Sequence, residues 1–177
     1  MQNIQIGNAA DSHFQSNIAE MNDAYRNVTA IDLRSESPIG TITLTRPFAK
    51  LRVITTDKEE IDAQKINISD ILVSPTFSVD MPSTINVLTG KTSGKVAQFG
   101  IMQKNLATYT EDKEGECTIG VWYCFAPKNT NTDVELSIGV KGSTQYTGIK
   151  ASVASVPLVE NKLTTIKGNL FSKSTNI

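Results

Sequence analysis

Val134, Leu136, Ile138 and Val140 alternate strictly with Glu135, Ser137, Gly139 and Lys141. An apolar–polar period of two sustained over this length fits a strand with one buried and one wet face, and no helix can present it. From Ile39 onward the same period returns in short runs broken by Gly, Pro, Asn and Asp. That repetition is the pattern of a sandwich or barrel. Thr, Ser, Asn, Val and Ile recur where helical proteins would carry Ala, Leu and Glu, which again favours strands with a polar outer face.

The clearest strand spans 117–126. Ile119, Val121, Tyr123 and Phe125 share one face, and Thr118, Gly120, Trp122 and Cys124 the other. Both faces are partly apolar, which predicts a central strand covered on both sides. Upstream, Ile42 and Leu44 have one parity and Ala49, Leu51 and Val53 the other, so the apolar face slips near Pro47. A bulge or kink there explains the slip, because proline cannot donate to a ladder. Ile66, Ile68 and Leu72 predict a strand, Phe77 and Val79 a short extended piece, and Ile85 with Val87 a strand closed by Gly90. The pattern is weaker over 96–102. Residues 111–116 read as a solvated hairpin loop, and Pro127, Asn129 and Asn131 as a turn. Residues 146–153 and 162–171 complete about seven to nine strands.

Before this region, Phe14, Ile18, Met21 and Tyr25 are spaced by three or four, which predicts a short helix or irregular segment. The expected organisation is an N-terminal segment over 1–38, a β-sandwich over 39–171 and a tail over 172–177. A sequence of 177 residues is long enough for one such core.

Charge and motif content narrow the function classes. Seventeen Lys and Arg stand against eighteen Asp and Glu, with the signs interspersed, so the sequence carries neither a nucleic-acid footprint nor a polybasic membrane patch. No apolar run reaches about 18 residues, the length of a transmembrane helix. Residues 1–8 lack the basic and apolar regions of a signal peptide. His13 is the one histidine, so a Ser-His-Asp or Cys-His arrangement would rest on it alone, and it reads as an exposed or capping residue. Cys117 and Cys124 lie seven positions apart in one strand, about 23 Å at ~3.3 Å per residue, beyond disulfide reach. One histidine and two divergent cysteines supply no zinc site. Asp57, Glu59, Glu60 and Asp62 could serve a calcium ion, but with Lys58 and Ile61 among them they read as a charged helical turn or loop. Trp122, Tyr109, Tyr123 and Tyr146 could form a sugar-stacking platform, yet they are dispersed in sequence and at least Tyr123 reads as core. The expectation is a non-enzymatic protein with no catalytic residues, no metal and no cofactor.

Three stretches carry a family resemblance. Residues 43–57, Thr-Leu-Thr-Arg-Pro-Phe-Ala-Lys-Leu-Arg-Val-Ile-Thr-Thr-Asp, resemble the segment that opens a domain of the fimbrillin-like proteins of Bacteroidales. Residues 118–127, Thr-Ile-Gly-Val-Trp-Tyr-Cys-Phe-Ala-Pro, resemble the central strand of that family, with its aliphatic-Ala-Pro ending. Residues 156–170, Val-Pro-Leu-Val-Glu-Asn-Lys-Leu-Thr-Thr-Ile-Lys-Gly-Asn-Leu, resemble its closing strand.

The resemblance implies a transthyretin-like β-sandwich, exported as a lipoprotein to the outer membrane and cell surface by a signal upstream of this sequence or removed from it. It further implies a structural or adhesive subunit, or an accessory protein, of a type V pilus (a fimbria). Its partners would be other pilus subunits, or a donor strand from a neighbouring chain that completes an open sheet edge by β-augmentation. The alternative is a surface-lipoprotein module that binds a glycan or a host protein through loops such as 111–116 and 129–132.

Overall fold

The computed structural model describes residues 3–5, 24–30, 34, 40–95, 112–126, 131–144 and 148–172. They form an all-β, sandwich-like fold. In chain order the strands are β1 (Asn3–Gln5), β2 (Ala49–Thr55), β3 (Ile71–Phe77), β4 (Thr84–Asn86), β5 (Thr92–Ser93), β6 (Cys117–Cys124), β7 (Asn131–Val140), β8 (Ile149–Pro157) and β9 (Leu163–Gly168). Helix α1 (Lys58–Ala63) follows β2, and one 3-10 turn, Ile68–Asp70, precedes β3.

Two three-stranded sheets face each other, in the orders β6-β2-β9 and β3-β7-β8. β2 runs antiparallel to β6 and parallel to β9, while β7 is antiparallel to both its neighbours. Between the two sheets, β3 approaches β6, and β8 approaches β9 locally, where the Thr164 hydroxyl donates to Pro157 O, without a ladder forming between them. A third small sheet has the order β1-β4-β5.

The core lies between the two larger sheets. β7 buries Val134, Leu136 and Ile138 and turns Asn131, Asp133 and Ser137 outward, as its alternation requires. All eight residues of β6 are buried, which accounts for apolar side chains on both its faces. In the hydrogen-bond ladder of the described residues β6 is nevertheless terminal, not central. Its alternation is also interrupted: Val53 faces Gly120 and Ile54 faces Thr118, leaving Ile119 without an opposite residue. The Trp122 indole is fully buried and lies over Gly120, where any Cβ would overlap the ring. Phe48 stacks on Phe125 with ring centroids 5.0 Å apart and meets Tyr123 edge-on at 6.0 Å.

Several expectations need correction. Ile42 and Leu44 do not begin a core-facing strand. Both are exposed, and among the described residues the backbone of their segment pairs through an isolated bridge between Arg26 and Thr45. The kink expected at Pro47, by contrast, is found: the chain bends at 47–48, and Phe48 and Ala49 are in the core. Ile66 and Ile68 are not in the strand with Leu72. The Asn67 side chain accepts from Ser69 N and diverts the chain into a 3-10 turn, and β3 then runs unbroken to Phe77. Asn131 and Thr132 belong to β7 rather than to a turn. Of the helix expected around 12–27, residues 24–27 are non-helical and 12–23 lie outside the described residues, as do 96–102, Pro127, Asn129 and Tyr146.

Candidate functional site

Among the described residues, those with candidate chemistry are two thiols, two buried aromatic side chains, an acidic turn and a buried polar cluster. Cys117 and Cys124 are buried free thiols. Burial, with Asp112 nearby, pushes Cys117 up to about 11, and burial alone pushes Cys124 up to about 12, so neither is a nucleophile near neutral pH. Trp122 and Tyr123 are buried and offer no face to a sugar. Tyr109, Tyr146 and His13 lie outside the described residues.

The acidic stretch does not converge. Lys58 pairs with Asp62 at 2.5 Å across one turn of α1. Asp57 stands at the N-cap of α1 without bonding to the helix. Its carboxylate turns to the end of β9 instead, accepting from Phe171 N at 2.8 Å, Ser172 N at 2.6 Å, Ser172 Oγ at 2.9 Å, Leu170 N at 3.4 Å and the Thr55 hydroxyl. Burial raises the pKa of this carboxyl, but the bonds from Thr55, Phe171 and Ser172 outweigh that effect and hold it below the ordinary value. Asp57 therefore clamps the segment after β9. Among the described residues no group of three or more His, Cys, Asp or Glu could hold a metal ion.

A second buried polar cluster joins β2 to β6. Arg52 bonds Asp112 at 2.6 Å and Thr118 Oγ1 at 2.9 Å, and Asp112 also accepts from Thr118 N at 2.8 Å. Each charge is paired and hydrogen-bonded, so the cluster fixes register and presents no reactive group to solvent.

The feature available to a partner is a sheet edge. Four strands terminate the two larger sheets, and three of them are interrupted. β3 carries Pro75. β6 carries the irregularity at Ile119. β8 ends at Pro157 and bulges beside Ser155, whose φ is 56° and whose N–H is held by the Asp133 carboxylate at 2.8 Å. Such devices blunt an edge against pairing.

β9 has none of them. Lys50 N donates to Lys162 O at 2.9 Å and Thr56 N to Gly168 O at 3.0 Å, so the even-numbered residues of the strand bond β2. The N–H and C=O groups of Leu163, Thr165 and Lys167 then point away from β2, and among the described residues no strand pairs with them. The side chains of these three residues are exposed and that of Ile166 is buried. Lys167, which pairs with Glu116 at 2.5 Å, is the only charge within the strand.

One family description matches residues 1–177. The chain belongs to DUF6562, a family of unknown function. No curated protein matches it. No helix among the described residues is long and apolar enough to cross a membrane.

The geometry that sequence reasoning missed is instructive. Asp57 looked like one member of a charged turn, and nothing in its local pattern signals bonds to backbone more than a hundred positions away. The continuity of β9 was more accessible, since a run without Pro or Gly until Gly168 reads as an uninterrupted strand, but its place at a sheet edge was not.

Proposed function

We propose that this protein is a non-enzymatic structural or adhesive subunit, or an accessory protein, of a cell-surface fibre, and that it associates by accepting a strand along the outer edge of β9. The observation that carries the reading is that β9 is the one terminal strand of the two larger sheets with no proline, bulge or register break, among the described residues. An incoming strand would satisfy the outward backbone groups of Leu163, Thr165 and Lys167. The fimbrillin resemblance supports the same reading. Its three stretches, 43–57, 118–127 and 156–170, contain β2, all of β6 but Cys117, and β9, which together are one sheet. Asp57, at the end of the first stretch, clamps Phe171 and Ser172 directly after the third, keeping β9 aligned without a partner.

The test is fractionation of the source organism. Shearing its cells should release the chain in high-molecular-mass material, and Thr165→Pro should remove it from that fraction. Proline at 165 deletes only an outward N–H and leaves the bonds to β2 in place. Recovery of the chain only from the cell interior, or of Thr165→Pro in the sheared fraction as efficiently as the parent, would overturn the proposal. A chain held at the surface regardless of Thr165 would favour the alternative of a glycan- or host-protein-binding module.

A further inference from the structure

We infer that, when no donor strand occupies it, the outer edge of β9 pairs with the same edge of a second copy of this chain, forming an antiparallel two-fold dimer centred on Thr165. The inference rests on the open edge described above but commits to a different occupant.

The parity of the strand permits it. In an antiparallel ladder, hydrogen-bonded pairs form only between residues whose backbone groups both point across the gap. A two-fold axis at Thr165 sets Thr165 opposite its own counterpart and Leu163 opposite Lys167 of the second copy. All three are outward-pointing residues, so the pairing forms about six backbone hydrogen bonds with no slip in register. An axis at Thr164 or Ile166 keeps the parity but sets only Leu163 against Thr165, or only Thr165 against Lys167, within the strand, for about four bonds instead of about six.

Side chains agree with that register. Thr165 against Thr165 is a favourable cross-strand pair, and like charges do not meet, because Lys167 faces Leu163 and Lys162 faces Gly168. Leu163, the first residue of β9, is 49% exposed in the single chain, and the Lys167 stem of the second copy would cover it. The product joins two β6-β2-β9 sheets into one continuous sheet. A donor strand could enter only by displacing the second copy, so the dimer is a resting form that keeps the edge from uncontrolled pairing.

Single cysteines in the intact chain test the register. Thr165→Cys places two thiols on opposed Cα atoms about 5.5 Å apart, within the disulfide range of about 4.4–6.8 Å. Leu163→Cys places them four positions out of register, about 13 Å apart. Cys117 and Cys124 are buried and leave the readout clean. Under mild oxidation Thr165→Cys should give covalent dimer at least tenfold faster than Leu163→Cys, and mixing Leu163→Cys with Lys167→Cys should give the mixed dimer. Sedimentation should show a monomer–dimer equilibrium that Thr165→Lys, an exposed change placing like charges on the axis, weakens at least tenfold. Equal rates for Thr165→Cys and Leu163→Cys, or a chain that stays monomeric at millimolar concentration, would overturn the inference. If either occurs while Thr165→Pro still removes the chain from the sheared fraction, self-pairing is wrong and strand acceptance stands.

Discussion

Replacing Asp57 by Ala should release the segment that follows β9, and the structure sets the size of the loss. The substitution strips acceptors from Phe171 N, Ser172 N and Ser172 Oγ, while Leu170 and Phe171 are 7% and 2% exposed. If the segment stays in place, each buried unpaired donor costs about 1–3 kcal/mol. If it peels away, the chain forfeits about 1.5–3 kcal/mol for each of the two large side chains, offset by roughly 1–2 kcal/mol of backbone freedom regained per residue. The cheaper route sets the outcome: release of Leu170 and Phe171 nets about 1–2 kcal/mol, which for a chain of this size lowers the thermal midpoint by about 2–8 °C. Asp57→Asn keeps one acceptor oxygen and should cost about half as much.

The pH dependence follows from the sign of the shift. Because the folded pKa of Asp57 lies below its unfolded value of about 3.9, the carboxylate contributes stability that is fully present above that value and lost as pH falls through the folded one. The stability difference between the parent and Asp57→Asn in urea melts should therefore be constant above about pH 4 and shrink as the pH falls below it. An Asp57→Ala variant within about 0.5 kcal/mol of the parent at pH 7 would refute the clamp.

Gly120→Ala drives a methyl group into the buried Trp122 ring and should cost about 1–3 kcal/mol, with altered near-UV circular dichroism; a neutral result would misplace the indole. Ala49→Asp, at a position 1% exposed, buries an unpaired carboxylate and should cost several kcal/mol in a denaturant melt, on the order of 3. Native protein at pH 7.5 should expose neither thiol to Ellman's reagent, and both should react once denatured. Rapid labelling of Cys117 in the folded chain would contradict its burial.

Much of the fold was legible because period-two alternation is a local signal that burial preserves. β7 is the plainest case, and the strand expected over 117–126 is also found, as β6. Where the reading failed, a non-local contact or a single polar side chain decided the outcome. Ile42 and Leu44 alternate like strand residues, yet among the described residues their neighbour Thr45 forms an isolated bridge to Arg26 and both side chains are exposed. Ile66 and Ile68 lost their strand to one Asn67 side-chain bond. Ladder order was the least legible property. Apolar residues on both faces of β6 report coverage above and below the sheet, which is a different matter from having a hydrogen-bonded neighbour on each side. The edge character of β9 likewise depends on which strands lie beside it, and no pattern within its six residues states that.

Amide hydrogen exchange along β9, read residue by residue at a concentration low enough to keep the chain monomeric, tests the open edge most directly. Thr164, Ile166 and Gly168, which bond β2, should exchange slowly, while Leu163, Thr165 and Lys167 should exchange close to the rate of an unprotected amide, giving an alternating profile. On assembly into the fibre or the dimer, the three fast amides should become protected. Uniform slow exchange of all six in the monomer would show that the edge is already covered, and strand acceptance at β9 would have to be abandoned.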